Sequence, residues 1–529
     1  MSTEAHADHR PLAAAVRTVS GLTLLSRIAG LLRDLVTVRV FADSAVGSAF
    51  AAALAIPNTF RRLFGEGALS AAFIPEYTTL TRDDSALAQR FATLVVALLT
   101  LATGAITIAL ELVLAFLLTA ADDAPDAALS LRLIMITLPY MPLVCAGAIL
   151  GAMLQVHNRF APHAAAPIIL NLFIIVAATT HFVIDGATPA RTAVYISIAT
   201  VIAGAAQLAW CALALRRHIR WTRSFHATGD AARRLASRFL PALLGLGTHQ
   251  LNSLIDTLIA MWPIWFGPAI LGLAYPLDDA SNSILFFSQR LYQFPLGVFG
   301  IAVATAVFPL LSRHAREPDH FLQTLRRGVR LSIFIALPAT IGLALVSRDL
   351  VAVMYTGAGG FSADGAARAT AVLVGYALGV WAYSLNQILT RAFYALGDTR
   401  TPMRIAIAMV GLNLALNLAL IWPFREAGLA WATATAATAQ LAALAFILGR
   451  RLGVPILDPP TRSSVARIVP LSGAMGILVA LSILVAPAPT TWSAHLAILG
   501  VAILVGMGAY AAGARALRLH ELSWLVKLR

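Results

Sequence analysis

Long apolar segments separated by short polar connections repeat along the whole chain. Fourteen of them approach or exceed the roughly 20 residues that a helix needs to cross about 30 Å of hydrocarbon. They cover residues 15–40, 45–72, 88–119, 127–157, 163–184, 191–214, 237–264, 281–312, 325–347, 367–396, 403–422, 427–449, 465–486 and 491–514. The pattern predicts an all-α polytopic membrane protein with fourteen transmembrane helices.

The composition supports this interpretation. Of the 529 residues, 59% are hydrophobic and 12% are charged, and the mean hydropathy is +0.80; soluble domains are far more polar. The formal net charge of +14 would suit a nucleic-acid partner, but the arginines recur in short groups between apolar segments rather than in one basic tail. We therefore expect no nucleic-acid partner.

The connections alternate in charge along the chain. Arginines dominate connections such as 216–238 and 450–462, whereas acidic residues mark connections such as 122–126 and 278–279. Cytoplasmic loops of membrane proteins carry the excess of Lys and Arg. This rule predicts that both termini are cytoplasmic, which agrees with an even number of spans.

A weak internal repeat relates the two halves of the chain. The segment SAAFIPEYTTL resembles ATAVFPLLSRH and aligns Pro75 with Pro309, 234 residues apart; a second pair of segments aligns Pro162 with Pro402, 240 residues apart. Two six-helix lobes in the same orientation would enclose a central cavity, as in transporters built from parallel repeats. The predicted divisions are an N-terminal lobe (1–220), a C-terminal lobe (221–450) and two additional helices (451–529).

Charged side chains inside the predicted spans are the main candidates for a functional site. An arginine near the bilayer centre costs at least about 2.5–3.5 kcal/mol, so such residues should face a wet interior. The planar guanidinium can donate two hydrogen bonds to one phosphate group, and several converging arginines would suit a diphosphate. The candidate substrate-binding residues are Arg27, Arg33 and Asp34 in the first span, Arg61, Arg62 and Glu66 in the second, and Arg290 in the eighth.

Structural expectations apply to Arg62 and to two residues close to these candidates in the sequence. Gly30 lies between Arg27 and Arg33 and would permit a local break of the first helix. Arg62 and Glu66 are four residues apart and could pair along a helix, in which case Arg62 would be structural. Arg39, at the end of the first span, is better explained as a side chain that reaches the membrane surface.

A coupling cation is a second, weaker prediction. Asp256 and Asn252 lie one turn apart in the seventh span, and Asp398 or the Asn413–Asn417 pair could supply further oxygen ligands. Two structural alternatives stay open: Asp256 could pair with an arginine, and Asp398 could cap the following helix. We find no catalytic constellation and no metal-binding cysteine spacing, so we expect neither an enzyme nor a bound metal.

Several segments resemble the MurJ/MviN lipid II flippases, a family of the multidrug/oligosaccharidyl-lipid/polysaccharide exporter superfamily. The resemblance covers nearly the whole chain. Its motifs are SRIAGLLRD (26–34), IPNTFRRLFGEGALSAAFIP (56–75), NRFAPHAAAPIILN (158–171), QRLYQFPLGVFGIAVATAVFP (289–309) and RAFYALGDTRTP (391–402).

The resemblance implies transport of lipid II, the undecaprenyl-diphosphate-linked peptidoglycan precursor, from the cytoplasmic to the periplasmic leaflet of the bacterial inner membrane. It implies alternating access, cavity arginines at Arg27, Arg33, Arg61 and Arg290, and a groove for the lipid tail within residues 465–514. No cofactor is expected; a monovalent cation or the membrane potential would supply the driving force. Membrane lipid and cell-wall synthesis proteins are the other expected partners.

Two departures from the family pattern leave alternatives open. Ser48 and Gln289 stand where acidic residues would be expected, and the connection 262–280 is long enough for a re-entrant or interfacial hairpin of unassigned role. A cation-coupled drug or oligosaccharide-lipid exporter of the same superfamily is one alternative, although a drug cation would favour carboxylates over arginines. A non-transporting membrane scaffold is the other.

Overall fold

The computed structural model describes residues 9–66, 68–121 and 123–527, and most of them are helical. Each of the fourteen predicted spans coincides with one helix or with two consecutive helices, so the all-α class is confirmed. The first half of the chain forms α1 (His9–Phe41), α2 (Ala45–Phe60), α3 (Ala68–Asp83), α4 (Ser85–Thr119), α5 (Pro125–Thr137), α6 (Tyr140–Val156), α7 (Ala161–Val183), α8 (Pro189–Leu215), α9 (Gly229–Ala260) and α10 (Trp262–Phe266).

The second half begins with the one sheet in the described residues, a two-stranded antiparallel hairpin. Helices then continue almost to the end of the chain. The elements are β1 (Ala269–Ile270), β2 (Leu273–Ala274), α11 (Ser281–Pro295), α12 (Ile301–Arg313), α13 (Pro318–Tyr355), α14 (Ala363–Ala395), α15 (Arg400–Phe424), α16 (Glu426–Leu452), α17 (Pro459–Val485), α18 (Trp492–Ala516) and α19 (His520–Lys527).

Local sequence explains where many of these helices start and stop. Polar side chains accept hydrogen bonds from the first free amides of several helices: Asp84 accepts from Ala86 and Leu87, both at 3.0 Å, to begin α4. At the other end of a helix, Gly453 follows α16 with φ +67°, a conformation that glycine adopts without steric cost. The short polar connections therefore fix the helix boundaries that the apolar pattern predicts only approximately.

Contacts divide the chain into two compact units, Met1–Gly267 and Pro268–Arg529. In the first unit α9 packs against α3, and in the second unit α17 and α18 pack against α13. Packing therefore groups the seventh predicted span with the first unit. The predicted divisions at residues 220 and 450 are based on the sequence repeat. They stay a prediction.

Each unit has its own apolar core. Stacked rings of Phe73 and Phe91, with centroids 5.6 Å apart, lie in the core of the first unit together with Cys145 and Cys211. Both cysteines are free and buried, as expected for helix-packing residues. In the second unit α12, α13, α14 and α16 bury a comparable cluster.

Two π-helical segments interrupt the second and eighth spans. Arg61–Glu66 joins α2 to α3 within the second span, and Leu296–Gly300 joins α11 to α12 within the eighth. Adding the 234-residue offset between Pro75 and Pro309 to residues 61–66 gives 295–300, so the segments occupy equivalent positions in the repeat. The local break that Gly30 would permit is not formed, because α1 continues through that residue; the irregular backbone lies in the π segments instead.

Gly428 allows α15 and α16 to approach each other closely. A Cβ added at Gly428 would lie 2.3 Å from the backbone oxygen of Leu420, and backbone atoms cannot move aside as a flexible side chain can. Gly411 on α15 offers a comparison, because a Cβ there would meet no atom within 4 Å.

We expect Gly428→Ala to destabilise the protein by about 1–3 kcal/mol, the usual cost of overpacking. Gly411→Ala should leave stability unchanged or raise it slightly, because alanine has the higher helix propensity. The measurement is the midpoint of thermal unfolding of the two purified variants in the same detergent. Equal midpoints would show that the close approach at Gly428 does not limit stability.

Candidate functional site

The candidate residues concentrate on four of the fourteen predicted spans. In the part of the chain that the structure describes, the other ten contain helices long and apolar enough to cross a membrane. The four are α1, the α2–α3 pair, α9 and the α11–α12 pair; the members of the two pairs are 13–16 residues long, so each falls short on length. These four spans carry every candidate site residue except Asp398, Asn413 and Asn417. Charges inside a span are costly unless they face a polar environment, so the surroundings of each side chain decide its role.

Arg33 and Asp34 form a tight cluster with a residue of α7. The Arg33 Nη2 and Nε atoms donate to Asp34 Oδ1 at 2.7 and 3.0 Å. Arg33 Nη1 donates to Asn171 Oδ1 at 3.0 Å, and Asn171 Nδ2 donates to the Ser26 carbonyl oxygen at 3.2 Å. The guanidinium is therefore held in a fixed orientation, with only 14% of the Arg33 side chain exposed.

Arg27 is in a different environment. Its side chain is exposed, and among the described residues it forms no ion pair. Asp34, seven residues further along α1, pairs with its immediate neighbour Arg33. The first span thus supplies one neutralised arginine and one whose charge stays available.

Arg61 lies where the α-helical backbone gives way to the first π segment. Its Nε donates to Asn58 Oδ1 at 2.7 Å, and the π segment that begins at Arg61 packs against α6. Arg62 is half-buried. The Glu66 side chain lies outside the described residues, so the Arg62–Glu66 pair stays a prediction.

Arg290 lies in the second unit on an aromatic surface. Its guanidinium carbon is 4.6 Å from the centroid of the Phe286 ring, close enough for a cation–π interaction. The neighbouring Gln289 donates to the Tyr376 hydroxyl at 2.9 Å, and the Tyr376 ring stacks on Tyr292 at 4.6 Å. A neutral amide and phenol ring therefore stand where the family pattern led us to expect a carboxylate.

The seventh span carries the proposed cation ligands. Asp256 is 5% exposed, and Asn252 Oδ1 is buried without a hydrogen-bond partner among the described residues. No group of three or more His, Cys, Asp or Glu residues is positioned to hold a metal ion in the part of the chain that the structure describes. A cation site at Asp256 and Asn252 stays a prediction.

Asp398 has the helix-capping role that the sequence left open. Its Oδ1 accepts from the Arg400 and Thr401 amides at 3.1 and 3.0 Å, its Oδ2 accepts from Thr401 Oγ1 at 2.8 Å, and it pairs with Arg451. Burial raises the pKa of the Asp398 carboxyl, but the hydrogen bonds from Thr401 and the charge of Arg451 outweigh it, so the pKa lies below its ordinary value. These contacts give the predicted cation role of Asp398 no support. Nor do Asn413 and Asn417 point to one, because they hydrogen-bond to each other at 3.3 Å.

Sequence comparison identifies the family. A model of the family described as lipid II flippase MurJ matches residues 37–502. The chain belongs to this family. A probable lipid II flippase MurJ from Rhizobium tropici is 31% identical over 510 residues, covering 93% of this chain and 92% of the relative. The Vibrio cholerae protein of the same description is 30% identical and covers 80% of this chain and 81% of its own length.

Solved structures show the same fold. A lipid II flippase MurJ in an inward closed conformation matches with a TM-score of 0.77 at 22% identity, covering 94% of this chain and 98% of that one. An inward-facing MATE-family multidrug transporter of the MOP superfamily matches at 0.62 with 11% identity, covering 83% and 98%. The resemblance to the MurJ family is therefore confirmed, the MATE transporter shares the fold, and the chain is a multi-pass membrane protein of a transporter family.

Asn171 is the site residue that sequence reasoning missed. It stands at the end of a motif shared with the MurJ family, and a polar residue within an apolar helix was the available signal. Its role depends on contacts with Arg33 and Ser26, which are 138 and 145 residues away in sequence. No local pattern predicts those partners.

We expect Asn171→Ala to weaken the binding of undecaprenyl diphosphate by about tenfold, because the charged guanidinium of Arg33 loses the amide acceptor that orients it. The matched control is Thr180→Ala on the same helix, since the Thr180 hydroxyl donates only to its own helix, at 2.6 Å from the Ala177 oxygen. Binding is measured on purified protein, with membrane abundance compared in parallel. Unchanged affinity for Asn171→Ala would mean that its contact does not orient Arg33 for a ligand.

Asp398→Asn tests the capping role through pH. A folded-state pKa below the ordinary value means that the ionised carboxylate stabilises the fold at neutral pH, and that this stabilisation is lost as the pH falls through the folded-state pKa. The variant should unfold at a lower temperature than the parent at pH 7, and the difference should shrink below about pH 4, the ordinary aspartate value. Thermal unfolding in detergent across this range measures it. A difference independent of pH would contradict the ionised cap.

Proposed function

We propose that this chain flips lipid II, the undecaprenyl-diphosphate-linked peptidoglycan precursor, from the cytoplasmic to the periplasmic leaflet of the bacterial inner membrane. Membership of the MurJ family supports the substrate class. The observation that carries the proposal is that Arg27, Arg33, Arg61 and Arg290 all lie within predicted membrane spans. Arginines retained at membrane depth suit an anionic substrate group, and a diphosphate is the anion that this precursor carries.

In this proposal the arginines bind the diphosphate in different ways. Arg33, oriented by Asp34 and Asn171, presents a fixed guanidinium edge, whereas the exposed Arg27 brings an uncompensated charge. Pre-oriented donors lose less conformational entropy on binding, so Arg33 would set the position of the phosphate and Arg27 would add attraction. Arg61 and Arg290, each held locally by an amide or a ring face, complete the set.

Alternating access would follow from charge neutralisation. The bound diphosphate would offset repulsion among the arginines and shift the population towards a state that opens to the other side. The π segments at Arg61–Glu66 and Leu296–Gly300 are suited to changes of helix direction, because π-bulges disturb the regular hydrogen-bond ladder. The polyprenyl chain would stay in lipid or along α17 and α18.

The driving force is proposed to be the membrane potential or a monovalent cation. Moving one elementary charge through 100 mV is worth about 2.3 kcal/mol, so a positively charged empty carrier would be reset by the potential. A cation at Asp256 and Asn252 is the alternative source. Both termini would lie in the cytoplasm, where cell-wall synthesis proteins that produce the precursor are the expected partners.

We expect Arg27→Ala, Arg33→Ala and Arg290→Ala each to abolish growth support in a bacterium depleted of its own lipid II flippase. Loss of a hydrogen bond to a charged group costs about 1.5–3 kcal/mol, which corresponds to roughly 10- to 150-fold weaker diphosphate binding. Arg191→Ala is the matched control, because Arg191 is an exposed arginine at the start of α8 and is not one of the candidate site residues.

The readouts are complementation, membrane abundance by immunoblot and binding of undecaprenyl diphosphate to purified protein. Full complementation by all three variants would refute the diphosphate site. Loss of growth in the Arg191→Ala control would show that the assay reports arginine loss in general.

A further inference from the structure

The hairpin in the second unit has an unusual apolar tip. Ala269 pairs with Ala274 and Ile270 with Leu273, and the two-residue loop consists of Leu271 and Gly272. Both loop residues have positive φ, +50° and +80°, as in a type I′ turn. Leu271 is 98% exposed and Leu273 is 60% exposed.

The residue at the tip is poorly suited to its backbone conformation. Type I′ turns favour Asn or Asp before Gly, since these side chains tolerate positive φ, whereas a bulky residue such as leucine is an outlier there. An isolated two-stranded hairpin is also marginal in water. Leu271 therefore has no evident role in folding in water. Its side chain would be stabilised by an apolar environment, which the described residues do not provide at this exposed position.

The base of the hairpin is rigidly anchored by charge. Arg368 Nη1 and Nη2 donate to the two Asp278 carboxylate oxygens at 2.9 and 2.7 Å, and Arg368 also pairs with Glu426 at the start of α16. Arg425 donates to Asp278 Oδ2 at 2.8 Å and to the Pro276 carbonyl oxygen at 3.2 Å. Burial raises the pKa of Asp278, but Arg368 and Arg425 outweigh it, so the pKa is lowered and the carboxylate stays ionised at neutral pH.

These anchors place the hairpin beside the end of a lipid-facing helix. The 25 residues of α15 span about 37 Å at 1.5 Å per residue, slightly more than the hydrocarbon thickness. Trp422 and Phe424 at its end are 45% and 53% exposed, and exposed aromatic residues at helix ends are typical of the membrane interface. Arg425 follows directly and contacts the hairpin base, so the apolar surface of α15 continues towards the hairpin.

We propose that the hairpin is an interfacial anchor whose tip, Leu271 and Leu273, inserts into the headgroup–acyl boundary of the bilayer at this end of the second unit. In the predicted topology this is the periplasmic leaflet. The occupant of the apolar tip is membrane lipid. The ion pairs of Asp278 hold the hairpin at the depth that α15 sets.

The test uses a fluorophore attached through Leu273→Cys in the full-length protein reconstituted into phosphatidylethanolamine–phosphatidylglycerol vesicles. Cys145 and Cys211 are buried, so background labelling is low. The comparison variant is Ala358→Cys. Ala358 is exposed in the polar loop between α13 and α14. This loop precedes the end of α14 at which Arg368 contacts the base of the hairpin, so both labels lie at the same end of the unit. We expect several-fold stronger quenching by acyl-chain nitroxide lipid, and weaker quenching by iodide, at position 273 than at position 358.

The second variant, Leu271→Asn in the Leu273→Cys background, removes the apolar tip without disrupting the fold of the hairpin. The substitution supplies the preferred type I′ turn sequence, so the hairpin is retained while its apolar tip is lost. We expect lipid quenching at position 273 to fall towards the value at position 358. Equal iodide quenching at the two positions would overturn the proposal. The proposal would also be overturned if position 273 became protected from iodide only after undecaprenyl diphosphate is added, since the tip would then contact the substrate chain.

Discussion

The unfavourable transfer of guanidinium groups into hydrocarbon is the constraint on which this structure depends. Three of the arginines within the spans have different local partners. Arg33 contacts a carboxylate and an amide, Arg61 an amide one turn away, and Arg290 the face of a phenylalanine ring. The same kind of charge is thus stabilised by an ion pair, by a neutral amide or by an aromatic ring.

The candidate charges also fall on particular helices. In the described part of the chain ten spans contain helices long and apolar enough to cross a membrane, and the candidate arginines lie on three of the other four. The ten therefore supply apolar surface for lipid and for helix packing, while the others carry the guanidinium groups. Buried small residues such as Gly428 allow neighbouring helices to approach closely.

The sequence predicted the spans well, because about 20 consecutive apolar residues are a strong signal and lipid leaves the backbone few alternatives to a helix. It also located the charged residues on the correct helices. It could not predict their partners: Asn171 meets Arg33 only through the packing of α7 on α1, and Asp34 pairs with the adjacent Arg33 rather than across two turns. At Gly30 the sequence permits a helix break that the structure does not contain, because packing decides whether a break forms.

The matching π segments bear on how two of the spans can enter a membrane. A π turn interrupts the regular hydrogen-bond ladder of a helix. The two segments occur 234–235 residues apart, in the same place relative to Pro75 and Pro309. Each divides its span into two α-helices of 13–16 residues, and a helix of that length is too short to cross the hydrocarbon alone. The two halves of each span therefore have to enter the membrane together, with the π turn between them inside the bilayer.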